Sequence, residues 1–225
     1  MEAHRIFETQ DGTRSLFSER FGVSYHSKFG AWQETQHVFI DAGLRYCAVD
    51  RKQLSILDVG YGTGLNAAAT LLLSLQRPLT IDYVALEAFP VPPETLLQLD
   101  YPTALGWSAV EEAAYETLQS APWQDDFCVI SPRFRIQKRQ QHFEELVDVA
   151  AFDLIYYDAF APSAQPELWT PEIFGKMFCA LRQNGVLVTY CAKGQVKRDL
   201  RAVGFEVERL QGPPGKREMT RCTKP

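Results

Sequence analysis

Ser55-Ile-Leu-Asp-Val-Gly60-Tyr-Gly-Thr-Gly64-Leu-Asn66 passes from a short apolar run through three closely spaced glycines into a helical pattern that continues to about Leu75. A buried strand feeding a helix through a glycine turn opens a nucleotide-binding α/β unit. Glycine lets the backbone turn sharply there, and a ligand can approach where a Cβ would otherwise stand. A dinucleotide fingerprint wants G-x-G-x-x-G, but here the glycines run G-x-G-x-G behind Asp58. S-adenosylmethionine carries an ammonium, a carboxylate and a sulfonium but no phosphate, so an acid at the mouth of the loop favours it over NAD. Asp58, Gly60, Gly62, Gly64 and Asn66 are the first candidate cofactor residues.

Outward from this turn, apolar strands alternate with amphipathic helices. Residues 81–87 read as a second strand, either 127–130 or 134–138 as a third, and 152–157 as a buried fourth. Thr170-Pro171-Glu172 has the cap, proline and acid of a helix start, with Asn184-Gly185 as its stop. A strand at 185–190 follows, then a helix carrying Val196, Leu200 and Val203, then two strands around Gly212-Pro-Pro-Gly215. The pattern predicts a Rossmann-like α/β fold: a mostly parallel seven-stranded sheet covered on both faces and closed by a C-terminal antiparallel hairpin. Residues 1–50 lack this rhythm and read as a short N-terminal β extension over the site, leaving 51–225 as the cofactor-binding domain.

In open α/β sheets, ligands bind at the carboxyl ends of the strands. Glu87 stands there 23 residues after Gly64, where an acid reaches ribose hydroxyls, and Asp158 ends the fourth strand before the loop Ala159-Phe-Ala-Pro162.

Composition sets the broader limits. The chain has 225 residues, 46% hydrophobic and 23% charged, which suits one ordinary globular domain. Its longest apolar run, 67–75, is too short to span a bilayer, and the N-terminus lacks a basic start followed by an apolar stretch. We therefore expect a soluble, cytoplasmic protein with no membrane partner. Cysteines 47, 128, 179, 191 and 222 show neither CxxC spacing nor an even framework, and histidines 4, 26, 37 and 142 form no HxxxH pair. Reduced thiols and no metal are expected. Net charge is −5, yet residues 176–225 hold eleven Lys and Arg against four Asp and Glu. A basic quarter on an acidic chain allows a local phosphate-binding surface.

Four segments together carry a resemblance. They are Tyr25-His-Ser-Lys-Phe-Gly-Ala-Trp-Gln-Glu-Thr-Gln-His-Val-Phe39, the glycine loop, Tyr157-Asp-Ala-Phe-Ala-Pro162 with Pro166-Glu-Leu-Trp169, and Gly212-Pro-Pro-Gly-Lys-Arg-Glu218. In this order, from about Thr9 to Thr223, they resemble the methyltransferase part of the bifunctional MnmC family. The glycine loop is generic to class I methyltransferases; the other three segments are more specific. No second glycine fingerprint is present, so no FAD-dependent oxidase is expected and the chain reads as a stand-alone methyltransferase. The resemblance implies N-methylation of 5-aminomethyl-(2-thio)uridine at position 34 of tRNA, with a separate oxidase as a possible pathway partner.

In that setting Asp158 is the candidate catalytic residue, orienting the acceptor amine and taking up or relaying its proton, and a candidate cofactor-binding residue as well. Glu34 is placed to bind the cofactor ammonium, Tyr25 to pack on cofactor or base, and Gln140 or Gln141 to meet adenine. Phe160 or Trp169 is a candidate stacking wall for a flipped base. Lys193, Lys197, Arg198, Lys216 and Arg217 are phosphate-contact candidates. Two other readings stay open: a small-molecule amine methyl- or aminopropyltransferase on the same fold, and a non-catalytic partner of a tRNA-modifying oxidase.

Overall fold

The computed structural model describes residues 4–225, which open with a three-stranded antiparallel sheet of β1 (His4–Glu8), β2 (Arg14–Ser18) and β3 (Val23–Ser24). The Asp11 carboxylate shapes the first turn by accepting from the Thr13 N–H, and it ties the turn to the next element by accepting from the Gln33 N–H. That element is helical: α1 (Ala31–Thr35) runs directly into a π-helical segment, Gln36–Arg45. The extension is therefore only partly β. The helix is hard to read in sequence because Gly30 starts it without a side-chain cap, while Thr35, Val38, Ile40 and Gly43 are poor helix formers. Tertiary burial of Val38, Phe39, Ile40 and Leu44 overrides that local preference.

The rest of the chain alternates as expected. In order it forms β4 (Gln53–Val59), α2 (Leu65–Gln76), β5 (Thr80–Leu86), α3 (Pro93–Leu97), α4 (Tyr101–Leu105), α5 (Ala109–Ser120), β6 (Cys128–Ser131) and β7 (Phe134–Arg139). Then come β8 (Phe152–Tyr157), α6 (Pro171–Ala180), β9 (Leu181–Thr189), α7 (Gly194–Ala202), β10 (Glu206–Gln211) and β11 (Glu218–Thr223). Sheet order is β10-β11-β9-β8-β4-β5-β7-β6. Strands β7, β5, β4, β8 and β9 are parallel, and β11 and β10 close one edge antiparallel. The count is eight, not seven, because both candidates for the third strand form: β6 pairs antiparallel with β7 as an added edge.

Alternation along each inner strand divides the core between two faces. Ile56, Tyr83, Ile136, Leu154 and Tyr156 point toward the π-helical segment, α2 and α5; Leu57, Val59, Val84, Ile155 and Tyr157 point toward α6 and α7. Thr170 caps α6 as expected, its hydroxyl accepting from the Ile173 N–H. The helix ends at Ala180, ahead of Asn184-Gly185, because the Ala150 and Ala151 N–H groups and the Lys224 ammonium take up its last carbonyls. Asn184, at φ 61°, instead bends the early part of β9, where the pairing with β8 shifts register. Among the described residues no helix is long and apolar enough to cross a membrane.

This topology brings three strand ends together. The chain leaves β4 toward β5 and later returns on the other side as β8, so Asp58, Glu87 and Asp158 converge at the carboxyl edge beside the switch point.

Candidate active site

A cavity of about 310 Å³ opens at that edge. Its floor is the turn after β4. Gly60 has φ 99°, and a Cβ on it would meet the Asp158 carbonyl oxygen at 2.8 Å, so only glycine lets the β4 and β8 ends approach this closely. Gly60, Gly62 and Asn66 line the cavity. Gly64 faces the Tyr61 hydroxyl, 2.6 Å from where its Cβ would lie, and packs the turn instead of touching the cavity.

Glu87 lines the cavity with both carboxylate oxygens held: Oε2 accepts from the Gly62 N–H at 3.1 Å and Oε1 from the Phe89 N–H at 3.0 Å. Asp158 lies across the turn, where Oδ2 accepts from the Asn66 side-chain amide at 2.9 Å. The Thr35 hydroxyl donates to the Asn66 carbonyl at 3.0 Å, which fixes which end of that amide faces Asp158. Burial pushes the Asp158 carboxyl up to about 7; the nearby Glu34 charge adds to the shift, while the Asn66 donor and the Lys216 cation oppose it.

Asp58 lies beneath the loop rather than at its mouth. It is fully buried, does not line the cavity, and accepts from the Tyr83 hydroxyl at 2.7 Å. Burial, followed by the charges of Asp158 and Glu87, drives its pKa well above the carboxylate range. Asp58 therefore lies behind the turn, one layer beneath the cavity surface.

Glu34 is also set back from the cavity. Its Oε2 accepts from the Ser27 N–H and its Oε1 is 2.5 Å from the Lys216 ammonium, which lies 3.8 Å from the Tyr190 ring centroid. The Tyr190 hydroxyl donates to the Ala159 carbonyl at 2.8 Å, linking this pair to the loop after Asp158. Gly215 brings the hairpin turn against Phe29, whose ring atoms would stand 2.1–2.7 Å from an added Cβ. Lys216 thus joins the charge cluster around Asp158, with its side chain half-buried. Lys197 is likewise engaged, with Glu218 at 3.2 Å; Lys193, Arg198 and Arg217 are exposed.

Tyr25 and Phe160 line the cavity and meet edge to face at 4.9 Å, with the Tyr25 ring lying over Gly62. Trp169, expected as a possible wall, is only 5% exposed and packs among Tyr157, Phe174 and Tyr190. Its indole N–H donates to the Phe160 carbonyl at 2.7 Å, so it braces the loop from behind. Replacing Trp169 by Phe keeps the ring but strands that carbonyl. We expect a loss of about 1 kcal/mol and a midpoint about 2–4 °C lower in thermal unfolding.

Gln141 stands just outside the cavity, whose wall there is His142, Phe143 and Glu144, one step further along the chain. Sequence reasoning missed these residues along with Phe89, His26, Arg20 and Phe21. His26 is half-buried with Nδ1 2.9 Å from the Ser15 hydroxyl; desolvation lowers its pKa to about 4 against the pull of Glu34 and Asp11, so it faces the cavity neutral. The Glu19-Arg-Phe-Gly22 turn was the available signal for Arg20 and Phe21, but with no periodic pattern around it nothing tied it to the glycine loop.

This donor set fits a cationic nucleoside. The inner cavity offers Glu87 and Asp158, and the one Lys or Arg among its described lining residues, Arg20, is exposed at the mouth. Residues 136–225 match a family of S-adenosyl-L-methionine-dependent methyltransferases. Over 214 residues the chain is 32% identical to the tRNA 5-methylaminomethyl-2-thiouridine biosynthesis bifunctional protein MnmC of Cupriavidus necator, covering 91% of this chain and 32% of that one. Residues 136–225 thus carry an S-adenosyl-L-methionine-dependent methyltransferase sequence, and the chain as a whole is similar to MnmC. The MnmC protein of Pseudoalteromonas atlantica is 31% identical over 93% of the chain, again covering 32% of the relative. The chain thus spans about a third of the length of the curated relatives it matches. The crystal structure of MnmC2 from Aquifex aeolicus aligns with a TM-score of 0.75 at 25% identity, over 99% of this chain and 70% of that one. Spermidine synthase from Thermotoga maritima, with a TM-score of 0.61 at 15% identity over 100% of this chain and 70% of that one, shares the fold.

Proposed function

We propose that the chain uses S-adenosyl-L-methionine to N-methylate the aminomethyl group of 5-aminomethyl-(2-thio)uridine at the tRNA wobble position. The observation that carries this reading is Asp158: a half-buried carboxylate at the cavity floor, held by Asn66 and raised to about 7. The MnmC resemblance over more than nine-tenths of the chain supports the acceptor.

Glu87 would meet the ribose hydroxyls, Gly60 and Gly62 would let the cofactor approach the turn, and the wall from His142 to Glu144 would flank its base. When bound, S-adenosyl-L-methionine supplies a methyl carbon on a positively charged sulfur. The protein's task is then to present a neutral amine lone pair to that carbon. A primary ammonium normally keeps its proton at neutral pH, and an ordinary carboxylate beside it would strengthen that preference. Asp158 differs from an ordinary carboxylate: its pKa of about 7, against 3.8, narrows the gap to the ammonium by about three units. It accepts a hydrogen bond from the amine, aims it, and takes its proton as the N–C bond forms. Exposed Lys193, Arg198 and Arg217 remain available for phosphates. A separate oxidase that frees the amine is the implied pathway partner.

An acceptor screen tests the reading. Purified protein with labelled S-adenosyl-L-methionine should methylate tRNA that lacks the terminal methyl and leave putrescine and spermidine unlabelled. Labelled polyamines with unlabelled tRNA would overturn it.

A further inference from the structure

The tip of the β2–β3 hairpin reaches into the cavity from outside the methyltransferase sheet. Ser18 fixes it, its carbonyl accepting from the Gly22 N–H at 2.9 Å and its hydroxyl from the Phe21 N–H at 3.2 Å. Phe21 sits 5.2 Å from Phe160 and 6.2 Å from Phe89, bridging the two loops that flank the cleft. The Arg20 guanidinium lies 3.7 Å from the Phe89 ring centroid and is exposed. From floor to rim the chemistry runs in order: Asp158 and Asn66, then the half-buried rings of Tyr25, Phe160 and Phe21, then the Arg20 cation.

An aminomethyl pyrimidine nucleotide inserted amine-first carries the complementary sequence of ammonium, aromatic ring and phosphate. Resting on the acceptor proposed above, we infer that Arg20 and Phe21 form the acceptor-nucleotide clamp, with Phe21 and Phe160 gripping the base and Arg20 meeting its phosphate. Stacking on an aromatic is tolerant of base identity, and a guanidinium gives bidentate phosphate contact. The cation–π contact with Phe89 holds Arg20 at the rim in advance of binding. The three rings meet tilted or edge to face, at 46–75°, so the base enters by turning Phe21 away from Phe160.

The test uses the full chain and an anticodon stem-loop carrying 5-aminomethyluridine. Phe21→Ala should raise the KM for RNA about tenfold or more, while the dissociation constant of S-adenosylhomocysteine stays within about twofold and Phe21→Tyr restores the RNA KM. Arg20→Ala should weaken RNA binding and flatten its salt dependence by about one unit of log–log slope. If the parent methylates the stem-loop and both alanine variants keep its KM, the clamp is wrong while the function stands. Loss of S-adenosylhomocysteine affinity with the RNA KM intact would assign the tip to the cofactor and equally overturn the clamp. A parent that methylates no RNA removes the proposed function itself.

Discussion

Asp158→Asn lowers kcat by about 10²–10⁴-fold and leaves the affinity for S-adenosylhomocysteine within about twofold. Asparagine keeps the shape and still accepts from Asn66, but it cannot take a proton from the acceptor amine. The same substitution should strengthen the fold. A carboxyl whose folded pKa stands above its unfolded value loses stability as pH rises from the unfolded value through the folded one, here from 3.8 to about 7. Above that window the parent carries the whole penalty of a charged, half-buried group, and the amide carries none. At pH 8 the variant should be more stable by about 1–2 kcal/mol and melt about 2–8 °C higher; the difference should vanish near pH 4. Near-normal turnover in this variant would remove Asp158 from the chemistry.

The charges around Asp158 should move the acid limb of kcat in opposite directions. Asp158 is faced by Glu34 from α1, Lys216 from the C-terminal turn, Asn66 from α2, Asp58 from β4 and Tyr190 after β9. Glu34 raises its pKa and Lys216 lowers it. Glu34→Gln should therefore carry the acid limb to lower pH and Lys216→Met to higher pH, each by about one unit. At pH 6, below the parent limb, turnover relative to each variant's own plateau should then differ about 50-fold between the two. Parallel losses at every pH, with the limb unmoved, would make the pair a structural clasp alone.

Much of this site was legible in the sequence where strand periodicity and glycine coincide. The stretch 55–66 placed the turn, and the runs ending at Glu87 and Asp158 placed two acids at one sheet edge, because a strand's alternation and its end are local properties. What was not legible depends on packing between distant segments. Nothing local says that Lys216, 182 residues from Glu34, folds back to pair with it, or that Trp169 turns its ring into the core while Phe160 keeps its own in the cleft. Asp58 shows the limit most clearly. Its position marks the turn, but inward orientation is set by the pleat, which puts it on the same face as Ile56 and beneath the loop. The helix after Gly30 was hidden because its residues favour other conformations and only burial against the sheet holds them.

Nucleoside mass spectrometry measures transfer of a methyl group to a wobble-uridine amine directly. Purified protein is incubated with methyl-labelled S-adenosyl-L-methionine and tRNA bearing unmethylated 5-aminomethyluridine, and the digested nucleosides are resolved. Labelled 5-methylaminomethyluridine is the expected product. Tight S-adenosyl-L-methionine binding with no label in any tRNA nucleoside would contradict it.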